Sequence, residues 1–301
     1  MKTSSWLGRA QLLLAGVAFG FLGLFGKMAF ERGVSPVEFL TFRFLVGALT
    51  LGLVVLIRDR GSLRNFPRGE AFLRCVVLGV MGYALFSSLF FYTLTGASAS
   101  VTVLLLFLYP VFVALGAALF LGERMRAVQW VSLPLSLLGL FLLVSGDLEI
   151  HRLLAVLTGL GSAFFYAAYV LASRKWLVEV EPMGAVVVIQ ASAGVALALL
   201  AFHGQPLSRW TEILRVAPGP VLGAAWLGSV LAMSLFLSGL KKVGSVDASL
   251  LTFTEPLTGV VLAALFLGER LGFTQWVGAV LVLSALVLGS LRSFCKQAAH
   301  G

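Results

Sequence analysis

Charge is the scarcest ingredient of this 301-residue chain: Asp, Glu, Lys and Arg together supply 12% of it, while hydrophobic residues reach 59%. An ordinary soluble domain carries about twice that share of charge. Too little polar surface is left to clothe a water-soluble fold, and the mean hydropathy of +1.02 points to lipid as the solvent. Histidine occurs three times, at His151, His203 and His300, always outside the apolar runs and never clustered with carboxylates. That leaves no spacing suited to a metal site or to a His–carboxylate catalytic pair. The two cysteines, Cys75 in an apolar run and Cys295 near the end, read as unpaired thiols rather than a disulfide or zinc framework. A glycine-rich phosphate loop is absent, which argues against ATP-driven pumping, and no cofactor is implied. Lys and Arg outnumber Asp and Glu by 22 to 13, a net charge of +9. In a membrane protein this surplus belongs in cytoplasmic loops, so no nucleic-acid partner is expected.

Apolar runs are what the chain has in abundance. Since about 20 apolar residues cross a bilayer, the runs broken by charge, Gly or Pro predict ten spans, near 10–30, 37–57, 70–94, 98–121, 127–145, 153–173, 183–202, 218–240, 246–267 and 273–291. The first run follows Lys2 and Arg9 as a signal peptide would, but it is long and lacks a small-x-small exit, so it is read as a retained span. An even number of spans returns both ends to one side. That side collects fifteen Lys and Arg and the other five, with Lys27 and Arg43 inside spans, which predicts cytoplasmic termini in the cell (inner) membrane.

The chain also repeats itself. At an offset of 146 residues, Leu104–Val131 and Leu250–Val277 agree at fifteen of 28 positions, including AALFLGER at 117–124 and 263–270 and a Gln-Trp pair five residues on. The same offset matches Pro36 with Pro182, Gly82 with Gly228 and Ser88 with Ser234. Two units of five spans result, and because five is odd the second enters the membrane from the opposite side. Such inverted repeats mark secondary transporters, whose halves rock about a site near the bilayer midplane.

Two five-span units, each with a Pro-containing apolar helix that ends in Gly-Glu, resemble the drug/metabolite transporter superfamily, EamA type. The residues that carry the likeness are Pro110 with Gly122-Glu123, and Thr254-Glu255-Pro256 with Gly268-Glu269, together with the Pro36-to-Arg43 stretch. The resemblance implies an all-α integral membrane protein, ten transmembrane helices as two inverted five-helix repeats (10–145 and 153–291) around a central cavity. It further implies a permease or exporter of small metabolites, amino acids or drugs.

Ionisable groups inside lipid are costly and single out candidates. Glu255 lies ten residues into the ninth span beside Pro256, and Thr252, Thr258 and Gly259 share its face. It reads as a proton carrier or as the counter-charge of a cationic substrate group; the plain alternative is a structural acid paired with an Arg. Arg43 would hold a substrate carboxylate, unless it snorkels or caps a helix end. Lys27 and the paired Glu123 and Glu269 read as interface anchors. Tyr83, Ser87 and Phe90 on the third span form a second expected wall, with Trp226 and Met233 on the eighth, Thr102 and Tyr109 on the fourth, and Tyr166 and Tyr169 on the sixth. Expected partners are therefore a small-molecule substrate, the lipid bilayer and, through Glu255, protons. The rival reading is a membrane-embedded enzyme acting on a lipid or isoprenoid; its nearest residues are Asp147, Glu149 and His151 in one short loop.

Overall fold

Among the described residues, ten apolar helices make up the bundle. In the computed structural model, which describes residues 2–58, 66–123, 125–145, 148–201, 203, 206, 208–266 and 271–298 (without the side chains of 2–4 and 289–298), eight of them are long enough to cross a membrane. They are Ser5–Phe30 (span 1), Pro36–Ile57 (span 2), Glu70–Thr93 (span 3), Ala99–Leu121 (span 4), Leu153–Trp176 (span 6), Pro182–Ala201 (span 7), Pro218–Val243 (span 8) and Ser245–Phe266 (span 9). Two shorter ones, Ala127–Leu143 (span 5) and Phe273–Leu288 (span 10), complete two inverted five-helix units. Apolar side chains face outward all along the bundle, among them Leu119, Leu199 and Leu265, each more than 70% exposed. In water that surface would aggregate; in lipid it is ordinary solvation.

The packing has the symmetry of the repeat. Span 2 lies along span 7 and span 5 along span 10. Span 1 rests on spans 8 and 9, and span 6 rests on their counterparts, spans 3 and 4. Each half thus lends its first helix to the other half. Absent side chains make these seams. A Cβ on Gly16 would fall 1.9 Å from the Thr254 Oγ1, and one on Gly20 would fall 2.8 Å from the Glu255 carbonyl, so spans 1 and 9 meet almost backbone to backbone. Gly139 and Gly278 do the same between spans 5 and 10, where a Cβ on Gly278 would sit 2.4 Å from the Leu143 nitrogen.

The local irregularities recur with the repeat as well. Span 3 becomes π-helical over Leu78–Ala84 and span 8 over Ala224–Ala232, and these stretches start at positions 146 residues apart. Spans 4 and 9 break at 107–108 and 252–253, about one turn before or beside Pro110 and Pro256. Proline has no N–H and its ring crowds the carbonyl four residues back, so the chain tightens ahead of it. The shared Gln-Trp pair finds its reason here too. Gln129 Oε1 accepts the Arg126 N–H at 2.7 Å and Gln275 Oε1 accepts the Gly272 N–H at 2.9 Å, locking the starts of spans 5 and 10. Trp130 and Trp276 next to them face outward. Gly122 ends span 4 in the left-handed region, at φ 66°, where a side chain would be strained.

Between spans 7 and 8 an amphipathic helix, Ser208–Val216, seals the face opposite the amino terminus. Arg209 grips the Glu38 carboxylate with Nε at 2.7 Å and Nη2 at 3.0 Å, reaches Glu212 and donates to the Gly33 carbonyl. Those bonds, first to Glu38 and then to Glu212, hold the guanidinium above its usual pKa, so it stays charged throughout. Cys75 is a buried free thiol; Glu269, Asp147, His300 and the side chain of Cys295 lie outside the described residues.

The glycine seams carry a direct test. Gly278→Ala should destabilise the bundle by about 1–3 kcal/mol, as overpacking does, whereas Gly219→Ala, whose Cβ would meet nothing within 4 Å, should be nearly silent. Thermal unfolding of the two variants in detergent compares them.

Candidate functional site

The breaks and π-helical stretches converge at the centre of the bundle. In span 9 the Phe253 N–H bonds the Leu250 carbonyl at 3.2 Å, three residues back, instead of the Ser249 carbonyl a regular helix would use. The released Ser249 carbonyl accepts the Tyr109 hydroxyl from span 4 at 3.2 Å, and Tyr109 also shares a hydrogen bond with Thr252. One broken helix therefore satisfies the other. Beyond the break stands Glu255. The residue keeps some accessible surface while Thr254 and Pro256 on either side are buried.

Arg43 enters from span 2 and is buried, with 5% of its surface exposed. It neither snorkels nor caps a helix end. Its Nε donates to Ser229 Oγ at 3.0 Å and its Nη2 to the Tyr83 hydroxyl at 3.3 Å. Tyr83 and Ser229 are repeat counterparts at the 146-residue offset, each in its π-helical stretch. A single cation thus spans the line on which the two halves meet. Phe44 presents its ring to the guanidinium carbon at 4.9 Å. Gln190 supports Ser229 from behind, donating to its carbonyl at 2.7 Å and to Met233 Sδ at 3.3 Å.

Aromatic rings fill the space between these charges. Tyr109 and Tyr166 lie 4.4 Å apart, Phe86 stacks on Tyr166 at 4.5 Å, and Tyr83 contacts Phe86 at 5.0 Å and Tyr169 at 5.3 Å. Arg43, Tyr83, Tyr109 and Tyr166 all sit within electrostatic reach of the Glu255 carboxylate. No ion pair joins Arg43 to Glu255 among the described residues.

Of the residues expected from sequence, Glu255, Arg43, Tyr83, Tyr109 and Tyr166 come together. Ser87 is buried one turn beyond Tyr83, and Met233 is buried behind Ser229, in a second layer. Trp226 does not join them: it faces outward, 52% exposed, with Nε1 toward Thr50 Oγ1 at 3.4 Å. Residues seven apart share a face only on an α-helix, and the π-helical stretch between Trp226 and Met233 turns the tryptophan away. Thr102 is buried with its hydroxyl on the Ser98 carbonyl, and Phe90 is half-buried beside Phe91. Lys27 is exposed. Sequence reasoning missed Ser229, Phe44 and Phe86. The offset that pairs Ser229 with Tyr83 was the signal that pointed to the first.

The face carrying the amino terminus is closed by ions. Asp247, at the start of span 9, receives Arg126, the Gln129 amide at 2.7 Å and Arg9 at 3.5 Å, joining spans 1, 5 and 9. Glu123 does more than anchor its own span: it accepts the Ser245 N–H at 3.1 Å and meets Arg174 Nε at 3.4 Å. Arg174 in turn donates to the Leu240 and Lys241 carbonyls at the end of span 8. At the opposite face the counterparts of Arg9 and Asp247 are Ala155 and Val101, which with Ala97 form a small apolar contact. In the loop of the rival enzyme reading, His151 and Glu149 are exposed and 3.6 Å apart, far from the central cluster. No group of three metal-ligating side chains occurs among the described residues.

The bridging role of Arg43 is open to a mutant cycle. Ser229→Ala should cost about 1.5–3 kcal/mol, the range of a hydrogen bond to a charged group. In an Arg43→Ala background that cost should vanish, as read by unfolding in detergent.

Residues 6–145 and 153–291 each match the EamA-like transporter family. Over its length the chain is 26% identical to YicL of Salmonella typhimurium, named an uncharacterized inner membrane transporter, covering 95% of this chain and 96% of that one. It is 28% identical to YwfM of Bacillus subtilis, named an uncharacterized transporter, with 96% of both chains covered. Protein PecM of Dickeya dadantii is 25% identical over 81% of this chain and 80% of its own. A solved crystal structure superposes on 97% of both chains with a TM-score of 0.79 at 17% identity, a likeness of fold. With two five-helix repeats and a family match to each of them, the chain belongs to the EamA-like transporter family.

Proposed function

We propose that this membrane transporter moves a small metabolite, amino acid or drug-like molecule by alternating access, with Glu255 coupling the movement to protons. One observation carries the reading: a carboxylate and a guanidinium of opposite sign face a tyrosine-lined centre without pairing, where two broken helices meet. Arg43 suits a substrate carboxylate and Glu255 a substrate ammonium or a proton, so a zwitterion with an apolar or planar side chain fits the pair. Protonating Glu255 would release the ammonium and re-set the site. Placement in the cell membrane with cytoplasmic termini rests on the Lys and Arg asymmetry. In that orientation the ionic closure around Asp247 and Glu123 is the cytoplasmic gate, and the apolar contact of Val101 and Ala155 is the outer one. Opening inward then requires breaking the ion pairs of Asp247 and Glu123, and opening outward requires parting Val101 and Ala155, on a face that also carries the Arg209–Glu38 pair.

Two outcomes check this reading. Glu255→Gln in reconstituted vesicles should leave the folded protein intact yet abolish the pH dependence of transport; a variant with the parent's uptake and pH profile would remove Glu255 from the mechanism. Asp247→Asn should loosen the terminal-face gate. A cysteine placed at the fully buried Ser249 should then react with a membrane-impermeant thiol reagent several-fold faster from the terminal face. Unchanged labelling would mean the ion pairs do not gate.

A further inference from the structure

The two ends of the bundle are built from the same blueprint, which makes their differences informative. On the face opposite the amino terminus, Ile213 and Ala217 of the amphipathic helix region pack on Ala29 and Val34, all four buried in one apolar cluster. At the 146-residue offset their counterparts are Pro67, Ala71, Lys175 and Val180. They line a cavity of about 460 Å³ on the amino-terminal face, together with Phe66, Arg68, Arg74, Trp176 and the exposed Val178 and Glu179. Three cations, Arg68, Arg74 and Lys175, edge this pocket.

We propose that this pocket binds the phosphate-bearing headgroup of an anionic phospholipid. Its charge fits: Arg68, Arg74 and Lys175 converge on it, against Glu179 on the wall and Glu70, which is bonded to Arg74 at 2.5 Å. A guanidinium has five N–H donors, so Arg74 can hold Glu70 and a phosphate oxygen together. Its position selects a lipid over a dissolved anion. The pocket lies between the first turn of span 3 and the last turn of span 6, at the level where headgroups meet protein. Beside it Phe72, Leu73 and Val178 expose 46%, 61% and 59% of their surface, apolar footing that acyl chains cover and a soluble phosphate does not. Trp176 contributes an aromatic wall of the kind that sits at the bilayer interface. A lipid seated there touches residues beside both span 3 and span 6, so it braces the two against each other.

The test uses the full chain purified in detergent. Native mass spectrometry and thermal unfolding would be followed on adding phosphatidylglycerol, cardiolipin or phosphatidylethanolamine, and separately inorganic phosphate. Retained phosphatidylglycerol or cardiolipin with a raised Tm is expected, and little effect of phosphatidylethanolamine. Lys175→Gln should weaken anionic-lipid binding about fivefold and Arg68→Gln with Lys175→Gln about 30-fold, since a basic residue near the surface contributes about 1 kcal/mol toward anionic lipid. Lys175 is exposed, so its replacement leaves packing intact, and Arg152→Ala at the other face should leave binding unchanged. Equal binding of phosphatidylethanolamine, undiminished binding by the double variant, or the same stabilisation by inorganic phosphate alone would each overturn the proposal.

Discussion

Lipid offers no hydrogen bonds, and the architecture follows from that. Every backbone N–H and C=O in the hydrocarbon must find a partner inside the protein, so each departure from a regular helix needs a specific acceptor or donor nearby. Departures occur at the centre and, over Ala117–Leu121, at the end of span 4. The break in span 9 frees the Ser249 carbonyl and Tyr109 takes it up; in the π-helical stretch of span 8 the Ser229 carbonyl accepts the Gln190 amide. At the centre, polar side chains thus serve as partners of irregular backbone, and the proposed site lies beside them.

Duplication explains why these irregularities come in pairs, and divergence explains why the site is not symmetric. The two π-helical stretches begin at matched positions, but one offers Tyr83 and the other Ser229 to the same guanidinium. Glu255 has Tyr109 as its counterpart, so one repeat supplies the charge and the other the ring that braces the helix carrying it. The ends of the bundle diverge in the same manner. Asp247 with its two arginines has only Val101 and Ala155 as mirror images. The counterparts of the Asp247 contact are therefore apolar, although that end carries an ion pair of its own, Arg209 with Glu38.

Much of this was legible beforehand. The span positions and the gathering of Arg43, Tyr83, Tyr109, Tyr166 and Glu255 follow from hydropathy, spacing and the cost of burying charge. Trp226 went the other way because a face count assumes 3.6 residues per turn throughout, and a π-helical stretch breaks that assumption. Ser229 was passed over because a serine in an apolar helix has many bland explanations; only the guanidinium across from it gives it a purpose. The role of Glu123 was half visible. Its place at a span end is written in the sequence, but its hold on the start of span 9 is not.

Composition and periodicity by themselves determined that the chain lives in lipid, crosses it ten times, and does so as two inverted copies. These are properties of how many apolar residues follow one another and of what recurs 146 positions later, and neither needs a fold to be counted. Tertiary structure decided which polar groups meet: that Arg43 bridges Tyr83 and Ser229, that Asp247 gathers spans 1, 5 and 9, and that Pro67 and Lys175 edge a pocket while Ile213 and Ala29 fill one. Those pairings depend on which helices become neighbours and how each is rotated, and rotation is set by packing from all sides at once, which no single stretch of sequence contains.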